Sequence, residues 1–250
     1  MNKYLKNLEK IEFVVTYACT GRCKHCSEGD HKSCGVHMDP AVAADAVKKI
    51  TAAYPIKTVM TFGGEPLLYP ETVYAVMKNA SELNIPKRQI ITNGYFSKDA
   101  ACIREVARRL AESGVNDLRL SADAFHQEYI PLEPVKIFAE EAKAAGIPIR
   151  IQPAWLVSRD DGNEYNIITK QIISEFAELG IKEADGNVIF PEGNALKYFA
   201  EYFADSAPDN PYVEDPADVR CISFDPDGTA LGGNVYEKDI IELLENYKPM

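Results

Sequence analysis

Residues 11–26 read Ile11-Glu12-Phe13-Val14-Val15-Thr16-Tyr17-Ala18-Cys19-Thr20-Gly21-Arg22-Cys23-Lys24-His25-Cys26, a short apolar run that empties into three closely spaced cysteines. The run has the length and the Val and Ile content of a buried parallel strand. The segment after it is polar, with Gly21, Arg22, Lys24 and Ser27 around the cysteines, so it reads as a loop. Three thiolates from one loop can hold three corners of a cubane cluster and leave the fourth iron open. An open coordination position is what separates a reactive metal centre from a structural one. The alternative, three packed core thiols, fits poorly with so polar a segment.

Outward from this stretch the pattern repeats. Strand-like runs at 57–61, 88–92, 117–121, 149–153 and 187–190 follow the first at 11–16, most of them rich in Val, Ile or Leu. Amphipathic helices lie between them. Asp39 caps the first and Pro40 fits its first turn, with Val42, Ala46, Val47 and Ile50 on one face. The second carries Val73, Val76, Met77, Ala80 and Leu83. The third has Ser97 as a candidate cap, and later helices stop at Gly146 and Gly180, glycine being the usual C-terminal stop. Alternating β and α elements imply a parallel sheet with right-handed crossovers. The period alone leaves open whether that sheet is an open doubly wound one or a curved barrel.

Beyond 190 the pattern changes. A short aromatic helix is expected over 194–203, then a loop rich in Pro and Asp, then Cys221-Ile222-Ser223-Phe224 and a turn at Asp225-Pro226-Asp227-Gly228. With a last helix near 238–247, the tail reads as a hairpin-plus-helix cap. The chain divides into a core, 1–193, and an extension, 194–250.

The chain has 250 residues, 46% hydrophobic and 26% charged, with a net charge of −11. So acidic a chain is a poor partner for nucleic acid, which needs clustered Lys and Arg. Its acidity suits a basic peptide substrate or serves solubility alone. No run approaches the roughly 18 apolar residues of a membrane span, and none near Met1 resembles a signal peptide. A cytoplasmic protein is expected, in which the six cysteines serve metal or redox chemistry.

Two motifs together carry a resemblance. Cys19, Cys23 and Cys26 have C-x3-C-x2-C spacing after the first strand, and Gly63-Gly64-Glu65-Pro66 follows the second. Both resemble the radical S-adenosylmethionine (SAM) superfamily. The resemblance implies a partial (β/α)6 TIM-like barrel over about 11–193, which chooses between the two sheet forms. It implies one [4Fe–4S] cluster on the three cysteines, with S-adenosylmethionine at its open iron. His25 stands where the family usually has an aromatic residue. Gly63, Gly64, Glu65 and Pro66 would meet the amino group of the methionine part. Asn93, Ser121, Asp123 and Gln152, at the ends of the third to fifth strands, would line the cofactor, and Ile189 in the sixth would lie beside adenine. An external electron donor such as flavodoxin or ferredoxin is implied. The tail resembles a worn version of the iron–sulfur extension of peptide-modifying members: Cys221, Pro226-Asp227-Gly228 and Gly233-Asn234-Val235 remain, without the other cysteines. The expected substrate is therefore a peptide or protein side chain, with a small molecule such as a nucleotide or cofactor precursor as the alternative.

Other constellations compete. Cys23, Cys26, Cys34 and His37 have zinc-knuckle spacing, which would make the chain a binding protein but leaves Cys19 and the Gly-Gly-Glu-Pro stretch unused. His126 is either an acid or base facing the substrate or a solvated loop histidine. Trp155 and Cys102 are expected to pack in the core. Cys221 is either a hydrogen-atom donor at the barrel mouth or a small buried hydrophobe.

Overall fold

The computed structural model describes residues 2–31, 35–204 and 207–249. The first half runs β1 (Lys10–Val14), α1 (Pro40–Ala53), β2 (Thr58–Phe62), α2 (Pro70–Glu82), β3 (Lys87–Thr92), α3 (Ala100–Glu112) and β4 (Asp117–Leu120). Next come a single turn α4 (Ala124–Gln127), α5 (Leu132–Ala144), β5 (Ile149–Ile151), β6 (Ala154–Trp155), α6 (Glu164–Glu178), β7 (Lys182–Glu183) and β8 (Asn187–Val188). The last part holds α7 (Gly193–Tyr198), β9 (Cys221–Phe224), β10 (Thr229–Ala230), β11 (Gly233–Asn234) and α8 (Ile240–Asn246).

Seven strands form one all-parallel sheet in the order β7-β5-β4-β3-β2-β1-β9. Side chains alternate across each strand. Ile11, Phe13, Val59, Ile90, Leu118, Leu120 and Ile151 are buried in the main core, which also takes up Val47, Ile50, Val76, Met77, Ile103, Leu110, Phe138 and Phe176 of the helices. Burying each of these large side chains is worth about 1.5–3 kcal/mol. The opposite face of the same strands carries Lys10, Glu12, Met60, Gln89, Asp117, Arg119 and Arg150 and is covered by none of these helices. The strands are thus apolar chiefly on one side; on the other, Met60, Gln89 and Asp117 are also buried, but among charged and polar neighbours.

Local chemistry sets the helix starts. The Asp39 carboxylate accepts from the backbone N–H of Ala41 and Val42, with Pro40 in the first turn. For α3 the cap is Asp99, which accepts from Ala101 N–H; Ser97, the expected cap, instead accepts from Asp99 N–H.

Two corrections concern strands. The sixth strand of the sheet is Lys182–Glu183, paired with Arg150 and Ile151. The 187–190 run expected there starts a separate two-stranded sheet, in which Asn187 and Val188 pair with Ala154 and Trp155. Residues 194–250 supply the expected helix, α8, but the hairpin is β10–β11, beyond the 225–228 turn on which it was expected, and 221–224 form β9 instead. That strand lies parallel to β1 in the main sheet, with Phe224 stacked on Phe13 at 4.8 Å between centroids. Among the described residues no helix is long and apolar enough to cross a membrane.

Candidate active site

The loop after β1 carries Cys19, Cys23 and Cys26 at the C-terminal edge of the sheet, where parallel α/β folds gather their sites. Its position is set by backbone contacts to two other segments. Gly64 N–H donates to Thr16 O at 2.7 Å, and Glu65 N–H to Ala18 O at 2.8 Å. A Cβ on Gly64 would lie 2.2 Å from Ala18 O, so only glycine lets the two loops approach this closely. From the other side Asn194 N–H donates to Cys26 O at 2.9 Å, and its side-chain amide reaches Cys23 O and Gly29 O. A Cβ on Gly193 would lie 2.3 Å from Ser27 O. The cysteine loop is thus held between the Gly-Gly-Glu-Pro stretch and the start of α7.

The three cysteines are free thiols close enough to influence one another's ionisation. Gly21 N–H donates to Cys19 Sγ at 3.3 Å, and Asn93 Nδ2 lies 3.6 Å from the same sulfur. Burial, and after it the Glu65 carboxylate, pushes the Cys19 thiol up to about 12. Burial also raises Cys23 and Cys26. A metal centre with sulfur affinity replaces those protons and removes the cost of ionising the thiols.

Glu65 and Asp123, both expected to line the cofactor, are also tied into the protein itself. The Glu65 carboxylate is fully buried and accepts from Thr92 Oγ1 (2.7 Å), Asn93 N–H (2.8 Å) and Leu67 N–H (2.9 Å). It ties the loop after β2 to the end of β3. Burial outweighs those three bonds and lifts its pKa to about 7. Asp123, also fully buried, caps α4 through Phe125 and His126 N–H, and its other oxygen accepts from Ala154 N–H at 2.9 Å. Burial alone would raise its pKa, but His126 and His25 bring it down to about 2. Both carboxylates thus join neighbouring segments around the cysteine loop.

His126 is held by Nδ1, 2.8 Å from Asp123 Oδ1, with its ring edge-on to His25 at 4.9 Å. His25 also lies against Phe125, and its Nδ1 is buried without a hydrogen-bond partner. Burial brings the His25 pKa down to about 4. Cys23 Sγ and one nitrogen each of His25 and His126 fall within 4.8 Å of one another. His37, the fourth member of the zinc-knuckle set, lies flat on Tyr69 at 4.1 Å, and Cys34 falls outside the described residues.

Ser121 and Gln152 stand half-buried at the ends of β4 and β5, on the helix-free face, and Gln152 Oε1 accepts from Arg119 at 3.2 Å. Pro66 is buried and opens a short 3-10 turn. Ile189 is buried among Phe125, Leu156, Ala195 and Phe199, a small satellite core. Trp155 is buried as expected, its indole N–H donating to Asp185 O. Cys102 is corrected: it is exposed on α3.

Cys221 is not brought to this site. It pairs with Lys10, the first residue of β1, so it lies at the N-terminal end of the sheet, opposite the cysteine loop. Only the far end of β9 reaches the mouth, where the Tyr17 hydroxyl donates to Asp225 at 2.7 Å. His31 is a neighbour the sequence did not single out: Nδ1 lies 2.9 Å from Tyr17 O and Nε2 3.5 Å from Cys26 Sγ.

A family model described as the radical SAM superfamily matches residues 13–152, more than half of the chain, from the end of β1 through β5. The chain belongs to the radical SAM superfamily. It is 27% identical over 131 residues to a GTP 3',8-cyclase of Clostridium perfringens, covering 51% of this chain and 38% of that protein. A probable GTP 3',8-cyclase of Methanococcus aeolicus is 27% identical over 157 residues, covering 58% and 50%. The chain therefore spans half or less of these relatives' lengths. Among solved structures, native anSMEcpe with bound AdoMet superposes with a TM-score of 0.59 at 16% identity, covering 96% of this chain and 81% of that one. At such identity the likeness speaks for the fold, a partial TIM-like barrel. A radical SAM enzyme works with a [4Fe–4S] cluster and S-adenosylmethionine, and three free cysteines on one loop, with Gly21 N–H and Asn93 Nδ2 turned to Cys19 Sγ, fit a sulfur-ligated cluster.

Proposed function

We propose that this radical SAM enzyme binds one cluster through Cys19, Cys23 and Cys26 and abstracts a hydrogen atom from an organic substrate seated on the helix-free face of the sheet. The observation that carries this is the meeting of three thiols and the Gly63–Gly64 backbone directly above that polar face. Once bound, the cluster and S-adenosylmethionine supply a 5′-deoxyadenosyl radical.

The chain's own residues bind, orient and exclude water. Asn93 Nδ2 and Gly21 N–H point at Cys19 Sγ, and donors to sulfur tune such centres. Gly63 and Gly64, packed on the backbone of Thr16 and Ala18 but still half-exposed, put the Gly-Gly-Glu-Pro stretch beside the cysteine loop, where it can meet a cofactor. Ser121 and Gln152 offer a hydroxyl and an amide from neighbouring strand ends. Asp123 fixes the ring of His126, whose Nε2 stays available to hold or pass a proton. Beside this corner Tyr165 stacks on Phe125 and Phe199 meets both edge-on, an aromatic wall that would help to exclude water. An external reductant such as flavodoxin or ferredoxin is part of the proposal.

For the substrate, the charged groups on the helix-free face favour a small polar molecule, as does the likeness to enzymes named for GTP. A peptide side chain is the second reading, supported by Cys221, Pro226-Asp227-Gly228 and Gly233-Asn234-Val235 in the tail. The test is anaerobic reconstitution with iron and sulfide, reduction by dithionite, and measurement of 5′-deoxyadenosine and methionine. Wild type should form both, and Cys19→Ala/Cys23→Ala/Cys26→Ala neither. Absence of both products from cluster-loaded wild type would refute the proposal.

A further inference from the structure

Arg119, Arg150 and Lys182 sit side by side in register on β4, β5 and β7. Their neighbours in sequence, Leu118, Leu120, Ile149, Ile151 and Ile181, turn into the helix-covered core or pack against it, so the three cations share the helix-free face. Like charges on adjacent strand positions repel. The row nevertheless stands, in a chain whose net charge is −11.

One carboxylate offsets the repulsion. Asp117 accepts from Arg119 Nε at 2.8 Å and lies 3.4 Å from Arg150 on one oxygen; the other meets Gln89 Nε2 at 2.8 Å and Lys87 at 3.3 Å. Arg119 and Lys87 hold the Asp117 carboxyl below its ordinary range, against the effect of burial. The group thus sets Lys87, Arg119, Arg150 and Lys182 against a single negative charge. Lys182 has no ion-pair partner among the described residues, and half of the Arg150 side chain remains exposed. Arg119 and Arg150 keep guanidinium N–H groups beyond those bonded to Asp117 and Gln152, and such a forked pair suits an oxyanion.

The place of the row matters as much as its charge. Ser121 and Gln152 are two residues further along the same strands, about 7 Å on by strand rise. The cysteine loop lies beyond them. An anionic group anchored on the row would leave the rest of a small molecule pointing towards the mouth.

We infer that Arg119, Arg150 and Lys182 form the seat for a carboxylate or phosphate group of the substrate, which is a small anionic molecule. This rests on the proposal that the substrate lies on the helix-free face. Asp117, Gln89 and Lys87 hold the two arginines in place before binding, and the row selects against a basic peptide by repulsion.

Binding of inorganic pyrophosphate and of succinate to reconstituted wild type, followed by calorimetry at low and moderate salt, tests the inference. Saturable binding of at least one, weakened by salt, is expected; pyrophosphate alone points to a phosphate source, succinate alone to a carboxylate. In Arg119→Gln/Arg150→Gln the affinity should fall by about tenfold or more for each guanidinium removed. Should that variant fail to fold, Arg150→Gln takes its place, because Arg150 is half exposed and makes only the 3.4 Å bond to Asp117, and Arg150→Lys should bind more tightly than Arg150→Gln. Failure of both anions to bind wild type, or binding equal in wild type and either Gln variant, overturns the inference. Formation of 5′-deoxyadenosine is read separately on wild type without either anion, so loss of this seat and loss of the radical chemistry give different results.

Discussion

Two cysteines mark the two ends of the first strand, and they live in different surroundings. Cys19 lies beyond the C-terminal end of β1, in a loop held by Gly64 on one side and Gly193 on the other, each in backbone contact too close for a side chain. Cys221 lies beside Lys10 at the start of β1, half-buried, near Glu12 and Glu214. Burial raises both thiols. Both have carboxylates nearby, but company still separates them: Cys19 shares its loop with two more cysteines and has Gly21 N–H and Asn93 Nδ2 at its sulfur, and Cys221 has neither. A sulfur-bound metal needs the first setting and gains nothing from the second. On the proposed function, the end of the strand, more than the residue type, decides which cysteine serves the cluster.

The largest effect should come from the glycine that shapes the first setting. Gly64→Val forces a branched side chain against Ala18 O and moves the cysteine loop. Overpacking of this kind costs about 1–3 kcal/mol, and the reconstituted variant should hold far less iron than the roughly four per chain of a cubane. Iron and sulfide assays with a thermal melt check this; full iron loading would show that the loop is not held by this contact.

At the other end the smallest effect is expected. Cys221→Ala removes a half-buried sulfur remote from the mouth, so stability should change by no more than about 1 kcal/mol. Iron content and 5′-deoxyadenosine yield should match wild type. A variant that loses iron, or that stalls after hydrogen abstraction, would place Cys221 in the chemistry and erase the contrast.

Much of this architecture is legible in the sequence, for physical reasons. The strands at 11–16, 57–61, 88–92, 117–121 and 149–153 stand out because their core-facing residues are strongly apolar, and the cysteine triplet and Gly63-Gly64-Glu65-Pro66 name the mouth. The sixth strand is hidden because Lys182–Glu183 is two charged residues long, with no apolar pattern. Cys102 is adjacent to Ile103, but one residue turns a helix by about 100°, which carries its thiol off the buried face. The tail reads as a hairpin, yet β9 adds to the sheet in parallel; that direction puts Cys221 at the wrong end, and a strand sequence does not name its partner. Glu65 and Asp123 look like ligand contacts because of where they fall. Only the structure reveals that their oxygens also bond Thr92, Asn93, Leu67, His126 and Ala154. The positive row is likewise invisible in sequence, because Arg119, Arg150 and Lys182 become neighbours only once register is known.

The central claim is that Cys19, Cys23 and Cys26 hold one cluster with an open site for S-adenosylmethionine. Electron paramagnetic resonance of the dithionite-reduced, reconstituted protein, recorded with and without S-adenosylmethionine and alongside metal analysis, tests it most directly. The account predicts about four irons per chain, a reduced-cluster signal that changes when S-adenosylmethionine is added, and loss of both in Cys19→Ala/Cys23→Ala/Cys26→Ala. Zinc without sulfide, a signal indifferent to S-adenosylmethionine, or a cluster that survives the triple substitution would contradict it.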